Sequence, residues 1–253
     1  MVKDSYYQNK NVLVIGGSFG IGEELCKDLA DLGANLAISA RSKDKIEKLA
    51  KSLGKKHLHI ACDITEEKEV ATLSRKLFTK WSKVDLVIFC AGTYKPMSLD
   101  NFDLKVAKEI VNVNFTSLLN FIDVFLPKFK EKKISHLAIV SSVSGYFGMP
   151  NSLAYGSSKA GLSNLTESLF YELRKYKTKV QLINPGFVKT RLTDQNKFTM
   201  PGRIMPNKAA KIILKNLPKR KFEITLPFIF TFMFRVLSIL PYKVRFFLFK
   251  NAK

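Results

Sequence analysis

Tyr155-Gly-Ser-Ser-Lys159 places a phenol and an ammonium four residues apart. On a helix that spacing puts both side chains on one face. Such a pair can serve a carbonyl reduction. Hydride transfer to a ketone builds negative charge on its oxygen, and a proton donor must neutralise that charge. An unperturbed tyrosine titrates near ~10, which is high for proton exchange around neutrality. A nearby Lys159 ammonium is expected to stabilise the phenolate and lower that value. A lowering by ~2–3 pH units corresponds to roughly 3–4 kcal/mol of preferential stabilisation. A serine hydroxyl would hold the carbonyl oxygen in place.

The spacing alone does not select the pair. Tyr6–Lys10 and Tyr171–Lys175 repeat it, and Ser142 precedes Tyr155 by the same count as Ser158 precedes Tyr171. Helix geometry separates the two candidates. Ser158 and Tyr171 fall in one continuous helical pattern, about 20 Å apart at a ~1.5 Å rise, and cannot share a substrate. Ser142 instead ends an apolar run, and Gly145, Gly148 and Pro150 supply a loop that can return Tyr155 to it.

The surrounding pattern explains how such a site is held. Short apolar runs at 11–16, 35–40, 57–61, 85–90, 136–141, 180–183 and 222–226 read as strands. Helical periodicity falls between them, at 23–32, 42–53, 65–81, 104–129 and 154–176. The run DLVIFC shows no alternation, as in the middle of a parallel sheet. The expected fold is α/β, one doubly wound parallel sheet of Rossmann type. Residues 1–226 are expected to form the catalytic domain, and 227–253 an apolar and basic extension.

Gly16-x-x-x-Gly20-x-Gly22 sits between the first strand and first helix. Gly16 allows a tight turn, Gly20 lets backbone approach a pyrophosphate, and Gly22 lets helix and sheet pack closely. The end of the second strand reads Ser39-Ala40-Arg41, with no acid to accept from a ribose 2′-OH. Arg41 can clamp a 2′-phosphate through its guanidinium fork, so NADP is expected over NAD. Asp63, ending the third strand, is placed to accept from an adenine amino group; capping before Thr65 is its structural alternative.

These residues resemble the short-chain dehydrogenase/reductase family over roughly 10–192. The matching pieces are IGGSFGIG (15–22), Asp63, CAG (90–92), Asn114 in VNVNFTS, SSVSG (141–145), YGSSK (155–159) and NPGFVKT (184–190). The resemblance implies Ser142, Tyr155 and Lys159 as the catalytic set, with Asn114 supporting a proton relay through Lys159. It implies cofactor contacts at Ser18, Phe19 and Ile21 in the glycine turn, at Ile64 beside Asp63, and at Cys90, Ala91 and Gly92. It also places Pro185, Gly186, Val188 and Thr190 beside the nicotinamide, and 191–206 in a variable substrate lid. Two positions depart: Ile15 stands where threonine is usual, and Cys90 where asparagine is usual. Family members are often dimers or tetramers, so a homo-oligomer is expected. A dinucleotide-sensing or scaffold protein on the same fold is the alternative function.

Composition narrows the remaining classes. With 46% hydrophobic and 25% charged residues among 253, the chain is neither disordered nor low-complexity. Three cysteines make no disulfide framework, and the first ten residues lack an apolar signal core, so a cytoplasmic protein is expected. Lys and Arg exceed Asp and Glu by 42 to 21, a formal charge of +21. That excess fits an anionic partner or a solvated basic surface. Without a zinc-ligand pattern or a polar stacking platform, nucleic acid is not expected. His57 and His59 near Cys62 are expected to share a strand surface with Cys62 facing away, so no metal site is expected. Cys90 is expected to be buried and inert.

The stretch FIFTFMFRVLSIL, between Pro227 and Pro241, carries one charge, Arg235. As a helix it spans about 20 Å, short of a ~30 Å hydrocarbon core. Its aromatic residues interleave with Arg235, Lys243, Arg245, Lys250 and Lys253, which suits a segment lying in an anionic membrane interface. Packing at a subunit interface is the alternative. A hydrophobic ketone or secondary alcohol would suit such a neighbourhood as substrate.

Overall fold

The computed structural model describes residues 4–196 and 200–250. Part of the expected lid, Lys197 to Thr199, lies outside them, as does Lys253. The seven apolar runs form strands β1 (Asn11–Ile15), β2 (Asn35–Ala40), β3 (Leu58–Ala61), β4 (Leu86–Phe89), β5 (His136–Val140), β6 (Lys179–Pro185) and β7 (Glu223–Leu226). They pair in parallel in the order β3-β2-β1-β4-β5-β6-β7. The chain steps outward from β1 to β3, then crosses back to place β4 on the other side of β1. Open α/β sheets bind ligands beyond the C-terminal strand ends at such a reversal.

Helices α1 (Gly20–Asp31), α2 (Lys43–Leu53), α3 (Glu67–Lys80), α4 (Leu104–Val111), α5 (Ser117–Lys130) and α6 (Leu153–Arg174) alternate with the strands. Three more follow: α7 (Pro206–Asn216), α8 (Phe228–Ile239) and α9 (Tyr242–Phe249). Side chains of β1 point alternately to two cores. Val12 and Val14 pack with Leu25, Leu29 and Ile213 from α1 and α7. Leu13 and Ile15 pack with Leu73, Phe121, Phe125 and Leu162 from α3, α5 and α6. Each such buried side chain contributes roughly 1.5–3 kcal/mol. Both faces being covered explains why β4 and β5 read as unbroken apolar runs.

A π-helical turn, Asn112–Thr116, joins α4 to α5 in one continuous helix, Leu104–Lys130. That helix is long and apolar enough to cross a membrane, yet it buries Phe121, Phe125 and Phe129 completely in the sheet's core. The periodicity of α7 went unread in the sequence. It closes the face of α1, burying Ala209, Ala210, Ile213 and Leu214. The histidine expectation is corrected. Strand β3 starts at Leu58, so His57 lies before it and turns inward, where its Nδ1 accepts the Leu36 N–H at 3.2 Å. His59 alone remains exposed. Among the described residues, no group of His, Cys, Asp and Glu could hold a metal ion.

Candidate active site

Strand β5 ends at Val140, and Ser141 and Ser142 follow at its C-terminal tip. A short 3-10 turn, Val143–Gly145, then leads toward α6, and the Ser142 Oγ accepts the Ser144 N–H at 3.1 Å. Helix α6 begins two residues before Tyr155, so Tyr155 and Lys159 occupy its first turns. Two bonds fasten this end of α6 to the strand tip. Ser141 Oγ donates to the Lys159 carbonyl at 3.0 Å, and Lys159 Nζ donates to the Val140 carbonyl at 3.1 Å. Ser142, Tyr155 and Lys159 therefore face one cleft of about 620 Å³. The competing Tyr171 is 74% exposed at the far end of α6, and Ser158 is buried.

The electrostatics depart from the expectation. Burial pushes the Tyr155 phenol up, and the Ser142 hydrogen bond only partly opposes it. Burial also pushes the Lys159 ammonium down to about 8. Lys159 Nζ lies 5.9 Å from the Tyr155 ring centre and is engaged by the Val140 carbonyl. Loss of hydration of the charged form is the largest cause of both shifts. Tyr155 thus carries its proton at neutral pH, as a donor must.

Asn114 is buried behind the cleft and does not line it. Its Oδ1 accepts the Thr93 N–H at 2.7 Å, and its Nδ2 donates to the Thr93 carbonyl at 2.9 Å and to Ser158 Oγ at 3.1 Å. It ties the segment after β4 to α6. A carbon placed on Gly92 would lie 3.4 Å from Asn114 Oδ1 and 3.6 Å from Lys159 Nζ, so the three groups are neighbours.

The glycine turn follows β1 beneath the same cleft. Gly16 has φ +88°, and a Cβ there would stand 2.7 Å from the Ala91 nitrogen. Gly22 does not line the cleft; a Cβ on it would stand 2.2 Å from the Gly16 carbonyl oxygen. Helix α1 thus presses on the turn, leaving Gly16, Ser18, Phe19, Gly20 and Ile21 open to the cleft. Cys90 is half-buried and lines the cleft, which corrects its expected burial. Its thiol, pushed up to about 11 by burial, accepts from the Gly22 N–H, and its own N–H donates to the Ile15 carbonyl at 2.8 Å. These two bonds join β4 to the turn where a threonine and an asparagine would otherwise stand.

Beyond β2, Arg41 is 61% exposed, its Nη1 3.9 Å from Asp63 Oδ2. Asp63 Oδ1 accepts the Thr65 N–H at 3.0 Å and its hydroxyl at 2.7 Å, which closes a local turn; α3 begins only at Glu67, with Glu66 at its cap position, so Asp63 does not cap it. Arg41, Asp63 and Ile64 line one end of the cleft; Ala91 and Gly92 lie along it. Pro185, the last residue of β6, and Gly186, Val188 and Thr190 after it also line the cleft. The surface fits a dinucleotide: a glycine cradle no Cβ could enter, an arginine at one end, and a proton donor at the other.

A family profile described as short chain dehydrogenase matches residues 10–200. The chain belongs to the short-chain dehydrogenase/reductase family. This short-chain dehydrogenase/reductase is similar to an uncharacterized oxidoreductase of Myxococcus xanthus, 29% identical over 92% of this chain and 93% of that one. A Burkholderia cenocepacia short chain dehydrogenase in complex with NADP shares its fold, with TM-score 0.80 and 21% identity over 92% of this chain and 94% of that one. So does the 3-ketoacyl-(acyl-carrier-protein) reductase of Brucella melitensis complexed with NADH, with TM-score 0.79 and 24% identity over 87% and 97%.

Several cleft residues of this short-chain dehydrogenase/reductase were not singled out in the sequence. The Tyr94 ring meets Tyr155 edge-on at 4.8 Å, and its hydroxyl donates to Asn196 Oδ1 at 2.6 Å. Its place just after CAG, at the C-terminal end of β4, was the available signal. Phe230, Met233, Phe234 and Leu237 of α8, with Phe249 of α9, form the apolar wall. No local pattern in a phenylalanine-rich run tells which ring turns inward.

Proposed function

We propose that this chain is an NADP-dependent reductase of hydrophobic ketones, or dehydrogenase of the matching secondary alcohols, with Tyr155 as general acid and base. The observation that carries this reading is the meeting of Ser142, Tyr155 and Lys159 at the strand tips, on the cleft that the glycine turn underlies. Hydride for the carbonyl carbon is the chemistry a nicotinamide dinucleotide supplies when bound. Gly16 to Ile21 would hold its pyrophosphate, Arg41 its 2′-phosphate, Asp63 its adenine, and Pro185 to Thr190 its nicotinamide end.

The chain's own residues do the rest. Ser142 hydrogen-bonds the carbonyl oxygen and holds it against the phenol. Tyr155, kept neutral by burial, gives its proton to that oxygen as negative charge develops. Lys159 stands behind as the nearby cation, and Asn114 fixes the Thr93 backbone and α6 relative to each other. The preference for NADP rests on Arg41 and on the missing acid at the end of β2. The hydrophobic substrate rests on the apolar wall from α8 and α9. The exposed apolar and basic outer side of those helices supports peripheral contact with an anionic membrane.

The test is a carbonyl panel with NADPH and NADH, read as absorbance loss at the nicotinamide band. Tyr155→Phe is expected to lose about 10²–10⁴-fold in turnover while NADPH binding is kept. Wild-type turnover on no carbonyl, with NADPH still bound, would instead favour the sensing role. A Phe variant as active as wild type would remove Tyr155 from the chemistry.

A further inference from the structure

Helix α8 is apolar on both sides. Its inner stripe, Phe230, Phe234 and Leu237, packs on Val143 and Phe147. Its outer stripe, Phe228, Phe232, Val236 and Ile239, is exposed, and Ile229 joins it. Ile229 and Ile239 are 84% and 80% exposed. Helix α9 continues the surface with exposed Tyr242, Val244, Phe246, Phe247 and Leu248. An apolar outer face of this extent, on a helix whose inner face is already packed, calls for a second apolar environment and marks an interaction site.

Length and charge choose the occupant. Twelve residues span about 18 Å, too short to cross a ~30 Å hydrocarbon core but suited to lying along its boundary. From Ile224 to Lys250 the chain has no Asp or Glu. Glu223, just before, is ion-paired with Arg235. Lys243 of α9 and Lys250, just beyond its end, are exposed, as are Lys219, Arg220 and Lys221 ahead of β7. The exposed apolar patch therefore lies on a stretch of chain whose unpaired charges are all positive, which matches an anionic bilayer better than a second, equally cationic copy of this surface.

The same helices wall the cleft. Met233 is at once 47% exposed and a lining residue, so it stands where the outer surface meets the interior. We propose that α8 and α9 seat the protein on an anionic bilayer and admit a bilayer-borne, long-chain carbonyl lipid to Tyr155 past Met233. The inference rests on the carbonyl-reductase reading above. The hydrocarbon runs along Phe230, Phe234 and Leu237 while the carbonyl reaches Ser142 and Tyr155. The carbonyl carbon gains hydride from the reduced nicotinamide dinucleotide, which is oxidised, and the oxygen gains the Tyr155 proton, leaving a secondary alcohol.

The experiment compares wild type with Ile229→Glu/Ile239→Glu, two positions that do not line the cleft. Flotation is measured with phosphatidylglycerol–phosphatidylcholine vesicles and with phosphatidylcholine alone. NADPH oxidation is measured with a short water-soluble ketone and with a long-chain methyl ketone dissolved in the anionic vesicles. Wild type is expected to float with the anionic vesicles and to reduce both ketones. The double variant is expected to lose at least about tenfold in vesicle partition and in turnover of the vesicle-borne ketone. Its soluble-ketone turnover and its melting temperature stay at the wild-type level. Lys243→Glu/Lys250→Glu is expected to weaken flotation on the anionic vesicles. The proposal is overturned if wild type does not float, if the double variant reduces the vesicle-borne ketone as fast as wild type, or if the variant only turns a dimer into a monomer. Flotation of wild type without turnover of either ketone sinks the reductase reading instead, and the delivery step with it.

Discussion

Gly22→Ala sets two physical effects against each other at one atom. Gly22 lies inside α1, where alanine is favoured over glycine by roughly 0.5–1 kcal/mol. Propensity alone therefore predicts a more stable protein. Packing predicts the reverse, because the new Cβ would stand 2.2 Å from the Gly16 carbonyl oxygen, 3.0 Å from the Gly16 carbonyl carbon and 3.2 Å from the Gly17 Cα. All three are backbone atoms, so no side chain can swing aside. The turn cannot simply recede either, since Gly16 already lies against the backbone of Cys90 and Ala91. Overpacking of this kind costs about 1–3 kcal/mol, occasionally more, and a clash this deep belongs at the upper end. The net expectation is a loss of about 2 kcal/mol, or roughly 4–8 °C in Tm for a chain of this size. Calorimetry with and without NADPH measures it, and nucleotide affinity is expected to fall as well, since the displaced Gly16 belongs to the cradle. Gly148→Ala is the control, with nothing within 4 Å of the new Cβ. An alanine at position 22 that matches or exceeds wild type in Tm would refute the close approach of α1 to the turn.

Three further outcomes follow from the geometry. Arg41→Ala removes an exposed guanidinium; KM for NADPH is expected to rise about 10–100-fold, with KM for NADH within twofold, and equal shifts would deny Arg41 a 2′-phosphate role. Because Lys159 is pushed down to about 8, its ammonium is lost as pH rises through that value, and reductive kcat/KM is expected to fall there; Lys159→Arg keeps the charge, so an inflection persisting in that variant belongs to another group. Phe234→Ala empties a buried site stacked on Phe147 at 5.8 Å and is expected to cost about 3–5 kcal/mol by denaturant titration, whereas a cost below about 1 kcal/mol would mean that α8 is not docked.

The parts of the molecule that local rules govern were legible in the sequence. Apolar runs and helical spacing placed the strands to within a residue or two, and loop reach distinguished Ser142–Tyr155 from Ser158–Tyr171. What escaped depended on contacts distant along the chain. His57 turned inward because a backbone N–H from Leu36, 21 residues away, needed an acceptor. The charge state of Tyr155 and Lys159 is set by how dry the cleft is, and motif spacing carries no measure of that. Tyr94, Phe234 and Phe249 reach the cleft through packing on Tyr155 and Phe147, residues far from them along the chain, and α7 was masked by the glycine and prolines around it.

The wide turn at Asn112–Thr116 decides which way Asn114 looks. In an unbroken α-helix, residues seven apart lie nearly in line, so Asn114 would share the stripe of Phe121, Phe125 and Phe129 and point its amide into grease. One additional residue in the winding rotates everything downstream by about 100°. The aromatic stripe then addresses the sheet while the amide addresses Thr93 and Ser158. A local irregularity in the spiral is thus what lets a single rod serve as both a core filler and a polar brace.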